Sequence, residues 1–263
     1  MKREFNSCLK RTVTVLVVGL VALAAQVAAA REPVRALFLG DSLADFDRGE
    51  NLVDQLQEKL DAVAPRYVNL YNYSIGGDTI TRILERIDGK KGAYALQRYA
   101  GIFGPKYDWA FVFLGHNDTK ASSAKNFTVP YVALKDAEAG YLRLINLLKA
   151  KGVKRIILIS PSSSNFEVCR ANTNKRLAAM KAGKVKKDGV NRFGEPKHME
   201  AFANVVKQVA QNNGCEYCDI YTPMKALPDK ATYLRPGDGV HLTPKGHAWV
   251  AERLFEYLQQ RTW

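Results

Sequence analysis

The chain has 263 residues, 47% apolar and 25% charged, with no internal repeat and no long low-complexity stretch. That describes one large globular domain with a sizeable core and excludes repeat and low-complexity architectures. The formal net charge of +13 admits an anionic partner, but a solvated basic surface is the simpler explanation. The densest lysine cluster (Lys181, Lys184, Lys186, Lys187) lacks interleaved aromatics, so nucleic acid is not an expected partner.

Residues 1–30 read as a secretory signal peptide. Lys2, Arg3, Lys10 and Arg11 form a basic start, Thr12 to Ala25 is apolar, and Val27-Ala28-Ala29-Ala30 offers small residues for cleavage near Ala30. Retention as an anchor is the alternative, but the alanine-rich end favours cleavage. Cys8 precedes the apolar run and is wrongly placed for lipid attachment. The expected product is an exported, periplasmic or extracellular domain over 31–263, without stable membrane insertion.

The first expected strand, Val34–Leu39, breaks at Gly40, and Ser42 follows two residues later. Glu50–Val63 has a helical apolar stripe (Leu52, Val53, Leu56, Leu60) ended by Pro65. Tyr67–Tyr73 is a second strand, and the turn Ser74–Thr79 leads into a helix at about Thr79–Ile87. Gly89–Gly104 is expected to be partly helical. Asp108–Leu114 is the third strand, closed by Gly115-His116-Asn117-Asp118. A loop, Thr119–Pro130, precedes a helix over Val132–Lys151 with Leu134, Leu142, Ile145 and Leu148 inward and Gly152 as its stop.

Val153–Ile159 is the fourth strand. The segment Ser160–Glu195 shows weak periodicity, with a short helix expected at about Asn174–Lys181. Pro196–Asn212 is helical, Cys215–Tyr221 is the fifth strand, and a last helix starts at the cap Thr243 and runs to about Gln260. Strands alternating with helices imply an α/β fold: a three-layer α/β/α sandwich around a five-stranded parallel sheet. Ligands bind such sheets outside the carboxyl ends of the strands, where Ser42, Gly76-Gly77, Asn117 and the Asp238–His241 loop should gather.

An oxidising compartment makes one disulfide plausible among Cys169, Cys215 and Cys218. In an extended strand, Cys215 and Cys218 would lie roughly 10 Å apart and face opposite ways, so Cys169 with one of them is the expected pair. These thiols are too few for structural zinc, and no metal or organic cofactor is expected.

A serine hydrolase needs a nucleophile, a base, a group orienting the base, and oxyanion donors. Ser42 is the nucleophile candidate. Among His116, His198, His241 and His247, His241 stands out because Asp238 lies three residues before it. The backbone N–H groups of Ser42 and Gly77, with the Asn117 side chain, are the oxyanion candidates. His247 is expected to pack or cap inside the last helix, and His198 to face solvent. Each short string occurs by chance; their order behind successive strand ends is harder to obtain by accident.

Four blocks carry a resemblance: Gly40-Asp41-Ser42-Leu43, Ser74-Ile75-Gly76-Gly77-Asp78-Thr79, Gly115-His116-Asn117-Asp118, and Asp238 through His247. Over essentially the whole mature length the chain resembles the SGNH (GDSL-type) hydrolases. That resemblance implies their flavodoxin-like fold, Ser42, Asp238 and His241 as catalytic triad, and Gly77 and Asn117 as oxyanion donors. Phe46-Asp47 departs from the pattern, since many members have a glycine soon after the serine. The G-x-S-x-G elbow of α/β-hydrolases is absent. The implied activity is a serine esterase; the expected export, a broad polar rim and the lack of a long apolar lid in the sequence point to O-acetyl or other short acyl esters on a carbohydrate, a small molecule or a polysaccharide. An acyltransferase with the same triad and a lipase or lysophospholipase are the rivals, and a non-catalytic polyanion-binding module fits less well. Oligomeric state is not legible.

Overall fold

Apolar runs alternating with amphipathic segments set the order of elements. In the computed structural model, residues 32–90, 92–183 and 189–261 are described. The expected leader, Cys8, and Lys184, Lys186 and Lys187 lie outside them. β1 (Val34–Gly40) leads into one helical turn, α1 (Ser42–Asp45), then α2 (Leu52–Val63), β2 (Val68–Asn72) and α3 (Ile80–Ile87). β3 (Trp109–Phe113), α4 (His116–Thr119), a two-residue β4 (Ala121–Ser122), α5 (Leu134–Ala150) and β5 (Arg155–Ile159) follow. The order ends with α6 (Phe166–Lys181), β6 (Asn191–Arg192), α7 (Pro196–Asn212), β7 (Glu216–Cys218), α8 (Tyr221–Lys225) and α9 (Pro244–Gln259).

Five strands form one sheet in the order β2-β1-β3-β5-β7, every pair parallel. Their side chains alternate between two cores. Leu37, Leu39, Ala110, Val112 and Leu158 face one; Ala36, Phe38, Phe111, Phe113, Ile157 and Ile159 face the other. Both faces are covered, which is why these strands read as continuous apolar runs. α3, α5 and α7 bury their stripes in the first core; α2 and α9 close the second.

The chain runs from β1 outward to β2, then returns to pair β3 on the other side of β1. Gly40, the last residue of β1, lies opposite Phe113, the last of β3. Ser42 and Asn117 therefore emerge at the topological switch point, where doubly wound sheets open a crevice.

Several expectations shift. The inward face of α5 centres on Ala137, Gly140, Tyr141, Leu144, Ile145 and Leu148, with Leu134 and Leu142 at its margin. Gly140 belongs there because a Cβ would stand 2.9 Å from Ile80 Cγ1. The fifth strand is three residues, not seven. Beyond it the Ser160 hydroxyl accepts the N–H groups of Ile220 and Tyr221, 2.8 Å each, and Asp219 accepts from Thr222 N–H at 3.0 Å, turning the chain into α8. The loop after α4 contributes β4, paired antiparallel with β6. Within 89–104 the regular structure is the 3-10 turn Leu96–Tyr99. Among the described residues no helix is long and apolar enough to cross a membrane.

Candidate active site

The turn carrying Ser42 is fixed from below. Asp41 caps α1, its Oδ1 accepting from Leu43 N–H at 3.0 Å. Asn51 Nδ2 donates to the carbonyls of Ala44 and Phe46, 3.0 Å each, while its Oδ1 caps α2 by accepting from Val53 N–H at 2.9 Å. Asn72 Nδ2 adds a 2.7 Å bond to Ala44 O. Asp47 takes a left-handed conformation, φ 52°, which explains why glycine suits the positions just after such a serine. Phe46 packs on Gly76, where a Cβ would stand 2.8 Å from its ring, and stacks on the His241 ring at 5.3 Å between centroids.

His241 reaches Ser42 from across the sheet rim. Its Nε2 lies 3.0 Å from Ser42 Oγ, and its Nδ1 lies 2.8 Å from Asp238 Oδ2. Asp238 Oδ1 accepts the backbone N–H groups of Val240 and His241, both at 2.8 Å. Partial burial pushes the Asp238 carboxyl up, but the His241 side chain and these two N–H groups outweigh it and hold it at about 2. The carboxylate stays ionised where an ester hydrolase operates.

Three consecutive carbonyls of this loop are held by α6 and its cap. Asn172 Nδ2 donates to Gly237 O at 2.6 Å, the Cys169 thiol to Asp238 O at 3.3 Å, and Asn165 N–H to Gly239 O at 2.8 Å. Gly239 (φ +72°) must be glycine here, since a Cβ would meet Asn165 O at 2.7 Å and Val168 Cβ at 2.9 Å. On the other side Arg235 donates to Leu242 O at 3.1 Å and pairs with Asp47, joining the loop to the segment after Ser42. Sequence reading missed these holding residues: helical spacing of Asn165, Cys169 and Asn172 is the signal, but their partners are far along the chain.

The oxyanion candidates lie on the same cavity. Gly77 adopts φ 85°, and its carbonyl accepts from Arg82 Nη1 at 2.9 Å. Asn117 starts the second residue of α4 and its Nδ2 lies 3.4 Å from Asp41 Oδ2. Burial raises the Asp41 carboxyl to about 6 against the bond from Leu43 N–H. A cavity of about 510 Å³ brings Ser42, Gly77, Asn117, Asp238 and His241 together, with Phe46, Phe193 and Val240 as apolar wall.

The other histidines separate clearly. His116 is buried, with Ser162 Oγ at 2.9 Å from Nε2 and Ser164 Oγ at 3.3 Å from Nδ1; burial lowers its pKa to about 3. His247 is buried too, accepting Leu52 N–H at 3.2 Å, so it caps α2 from α9. His198 is half-buried on α7.

The expected disulfide is not formed: Cys169, Cys215 and Cys218 are free. Cys169 is committed to the Asp238 carbonyl, Cys218 lies in the core below the sheet, and Cys215 packs on the core of the opposite face. Burial pushes the Cys169 and Cys218 thiols up to about 12, so neither is a reactive thiolate at neutral pH. Among the described residues no group of three or more His, Cys, Asp or Glu side chains is arranged to hold a metal ion.

Comparison with known proteins bears on the family and the fold. The model of the GDSL-like Lipase/Acylhydrolase family matches residues 38–249. The human isoamyl acetate-hydrolyzing esterase 1 homolog is 25% identical over 236 residues, covering 86% of this chain and 82% of that protein. A lipase/acylhydrolase from Enterococcus faecalis superposes with a TM-score of 0.61 at 17% identity, covering 87% of this chain and 96% of that one. An acetylxylan esterase from Geobacillus stearothermophilus superposes with a TM-score of 0.57 at 20% identity, covering 88% and 95%. A family match spanning most of the chain, over a sheet of the same architecture, makes this protein a member of the GDSL-like lipase/acylhydrolase family and a carboxylic ester hydrolase.

Proposed function

We propose that the protein is an exported serine esterase that removes acetyl or other short acyl groups from a carbohydrate alcohol. The observation that carries the mechanism is the pair of contacts on one imidazole, 3.0 Å to Ser42 Oγ and 2.8 Å to Asp238 Oδ2. Ser42 Oγ attacks the ester carbonyl and passes its proton to His241 Nε2, while Asp238 orients the ring and stabilises its charge. The N–H groups of Ser42 and Gly77 and the Asn117 amide receive the oxyanion. Collapse breaks the bond to the alcohol, whose oxygen takes the proton from His241. Water then attacks the acyl-enzyme, giving a proton to the same nitrogen, and the second collapse returns it to Ser42 as the acid leaves.

Phe46, wedged between Gly76 and His241, narrows the space beside the nucleophile and supports a short acyl group. The acetylxylan esterase among the structural neighbours supports a carbohydrate alcohol. The apolar wall of Phe46, Phe193 and Val240 favours a second reading, a small aliphatic alcohol, as in the human relative's name. Export rests on the composition of residues 1–30, and mass measurement of the protein recovered outside the cytoplasm tests it.

A panel of acetyl and longer acyl esters, run with acetylated xylan and isoamyl acetate beside Ser42→Ala, tests the chemistry. Ser42→Ala should lower kcat by at least about 10³-fold with folding intact. Parent-level turnover in that variant removes Ser42 from the mechanism. Equal kcat/KM on isoamyl acetate and acetylated xylan at matched acetyl concentration removes the carbohydrate preference.

A further inference from the structure

We propose that the ester accepted by this site carries an anionic group, carboxylate or phosphate, on its alcohol portion, received by Lys175 and Arg176 on the cavity wall and favoured by the charges of Lys120 and Arg82 behind it. The inference rests on the ester-hydrolase reading of the same cavity and adds the charge class of its substrate.

The cavity lining is unbalanced in charge. It contains one carboxylate, Asp238, and both oxygens of that carboxylate are engaged by His241 and backbone N–H groups. It contains two cations, Lys175 and Arg176, on successive residues of α6. Both are exposed, and neither has a hydrogen-bond or ion-pair partner among the described residues. Most other surface cations near the site are compensated: Arg192 pairs with Glu195 at 2.9 Å, Arg48 and Arg98 with Asp45, and Arg235 with Asp47.

A second, independent observation lies behind Gly77 and Phe193, two other residues of the lining. The Lys120 residue is only 8% exposed, yet no carboxylate stands within ion-pair distance of it among the described residues. Its ammonium lies 4.7 Å from the centroid of the Tyr131 ring and 5.8 Å from that of Phe193. Asp118 and Asp41 pull on it without forming an ion pair: Asp118 Oδ1 accepts Ile80 N–H at 2.9 Å, and Asp41 accepts from Leu43 N–H and Asn117. Arg82, which touches the Gly77 carbonyl, has its guanidinium 5.9 Å from the same Tyr131 ring. Burial first, and then repulsion from Arg82, lower the Lys120 pKa, against the pull of Asp118 and Asp41. A buried cation is costly without a counter-charge. Lys120 and Arg82, mutually repelling behind the oxyanion turn, add to the positive charge of Lys175 and Arg176 on the lining, a field that an anionic substrate neutralises. The aromatic and aliphatic lining of the same cavity suits the apolar body of such an ester.

The test compares matched acetyl esters with the purified full chain: para-acetoxybenzoate, para-acetoxyphenyl phosphate and neutral para-acetoxybenzamide, then O-acetylated polygalacturonate against O-acetylated xylan. At about 0.02 M NaCl the anionic-to-neutral ratio of kcat/KM should be on the order of tenfold higher for the parent than for Lys175→Glu/Arg176→Glu. For the parent it should fall steeply towards about 0.5 M NaCl, as screening shortens to a few ångströms. Lys120→Met should lower the same ratio. A gain confined to the carboxylate or to the phosphate ester supports the proposal and identifies the group. A ratio that is equal in parent and charge-reversed variant and insensitive to salt, with Ser42-dependent cleavage of the neutral ester intact, overturns the anionic substrate and leaves the esterase standing. Absence of Ser42-dependent cleavage of every ester overturns both.

Discussion

Asp238 holds the imidazole through one oxygen and its own loop through the other, so a single substitution separates charge from shape. Asp238→Asn keeps the volume but removes the charge that supports an imidazolium. If the proposed roles hold, kcat falls by about 10³- to 10⁴-fold with KM little changed. Asn117→Ala removes one of the three proposed oxyanion donors and should cost about 10²- to 10³-fold. Steady-state kinetics on a small acetyl ester checks both, and a loss under tenfold for Asp238→Asn removes it from the triad. These residues were legible because the chemistry is local: Asp238 and His241 share one loop, and Ser42 and Asn117 follow strand ends. The stacking of Phe46 on His241 was not legible, because an exposed aromatic carries no sign of a partner so distant in sequence.

Among elements, strands buried on both faces and helices with one apolar stripe announce themselves, and β1, β3, β5, α2, α7 and α9 were read close to their true bounds. α6 is the exception: the sequence announces only its second half, about Asn174–Lys181, of a helix that spans Phe166–Lys181. Only Cys169 and Thr173 of that helix are buried; its other sides face solvent and the cavity, so no stripe forms. β7 was overextended because Ile220 and Tyr221 are apolar yet turned by Ser160 and Asp219. The same helix that sequence missed holds the carbonyls of residues 237, 238 and 239. Asn172→Leu, nearly the same size without the donor, should free the Gly237 carbonyl. The expected result is a roughly tenfold lower kcat, from about 1 kcal/mol of lost hydrogen bonding and a displaced base, with KM and Tm nearly unchanged. Asn172→Gln keeps an amide and should recover part of the rate. A proportional loss of Tm and kcat would mean the helix serves stability alone.

At the scale of the whole molecule, building the site at a sheet crossover buries titratable groups beneath the rim, and two of them act on stability with opposite sign. His116 is held neutral by burial, down to about 3 from 6.5. Between those values the unfolded chain binds a proton that the folded chain refuses, so this contribution is complete above pH 6.5 and is lost on acidification. Asp118 is raised by burial from 3.8 to about 7, and its Oδ2 has no hydrogen-bond partner. Over that window the folded chain binds the extra proton, so stability falls as pH rises. The two trends overlap and oppose each other from mildly acidic to neutral pH, while Asp41 and Asp78, raised by burial to about 6 and about 7, act in the same direction as Asp118. Asp118→Asn removes the second trend alone. Its unfolding free energy should therefore increase relative to the parent's from pH 4.5 to 7.5, making it the relatively more stable protein, by at most about 4 kcal/mol for roughly three pKa units. His116→Gln should show the reverse, gaining on the parent as pH falls. Urea unfolding at the two pH values measures both differences, and a pH-independent difference for Asp118→Asn would mean that the folded protein holds this carboxyl no differently from the unfolded chain.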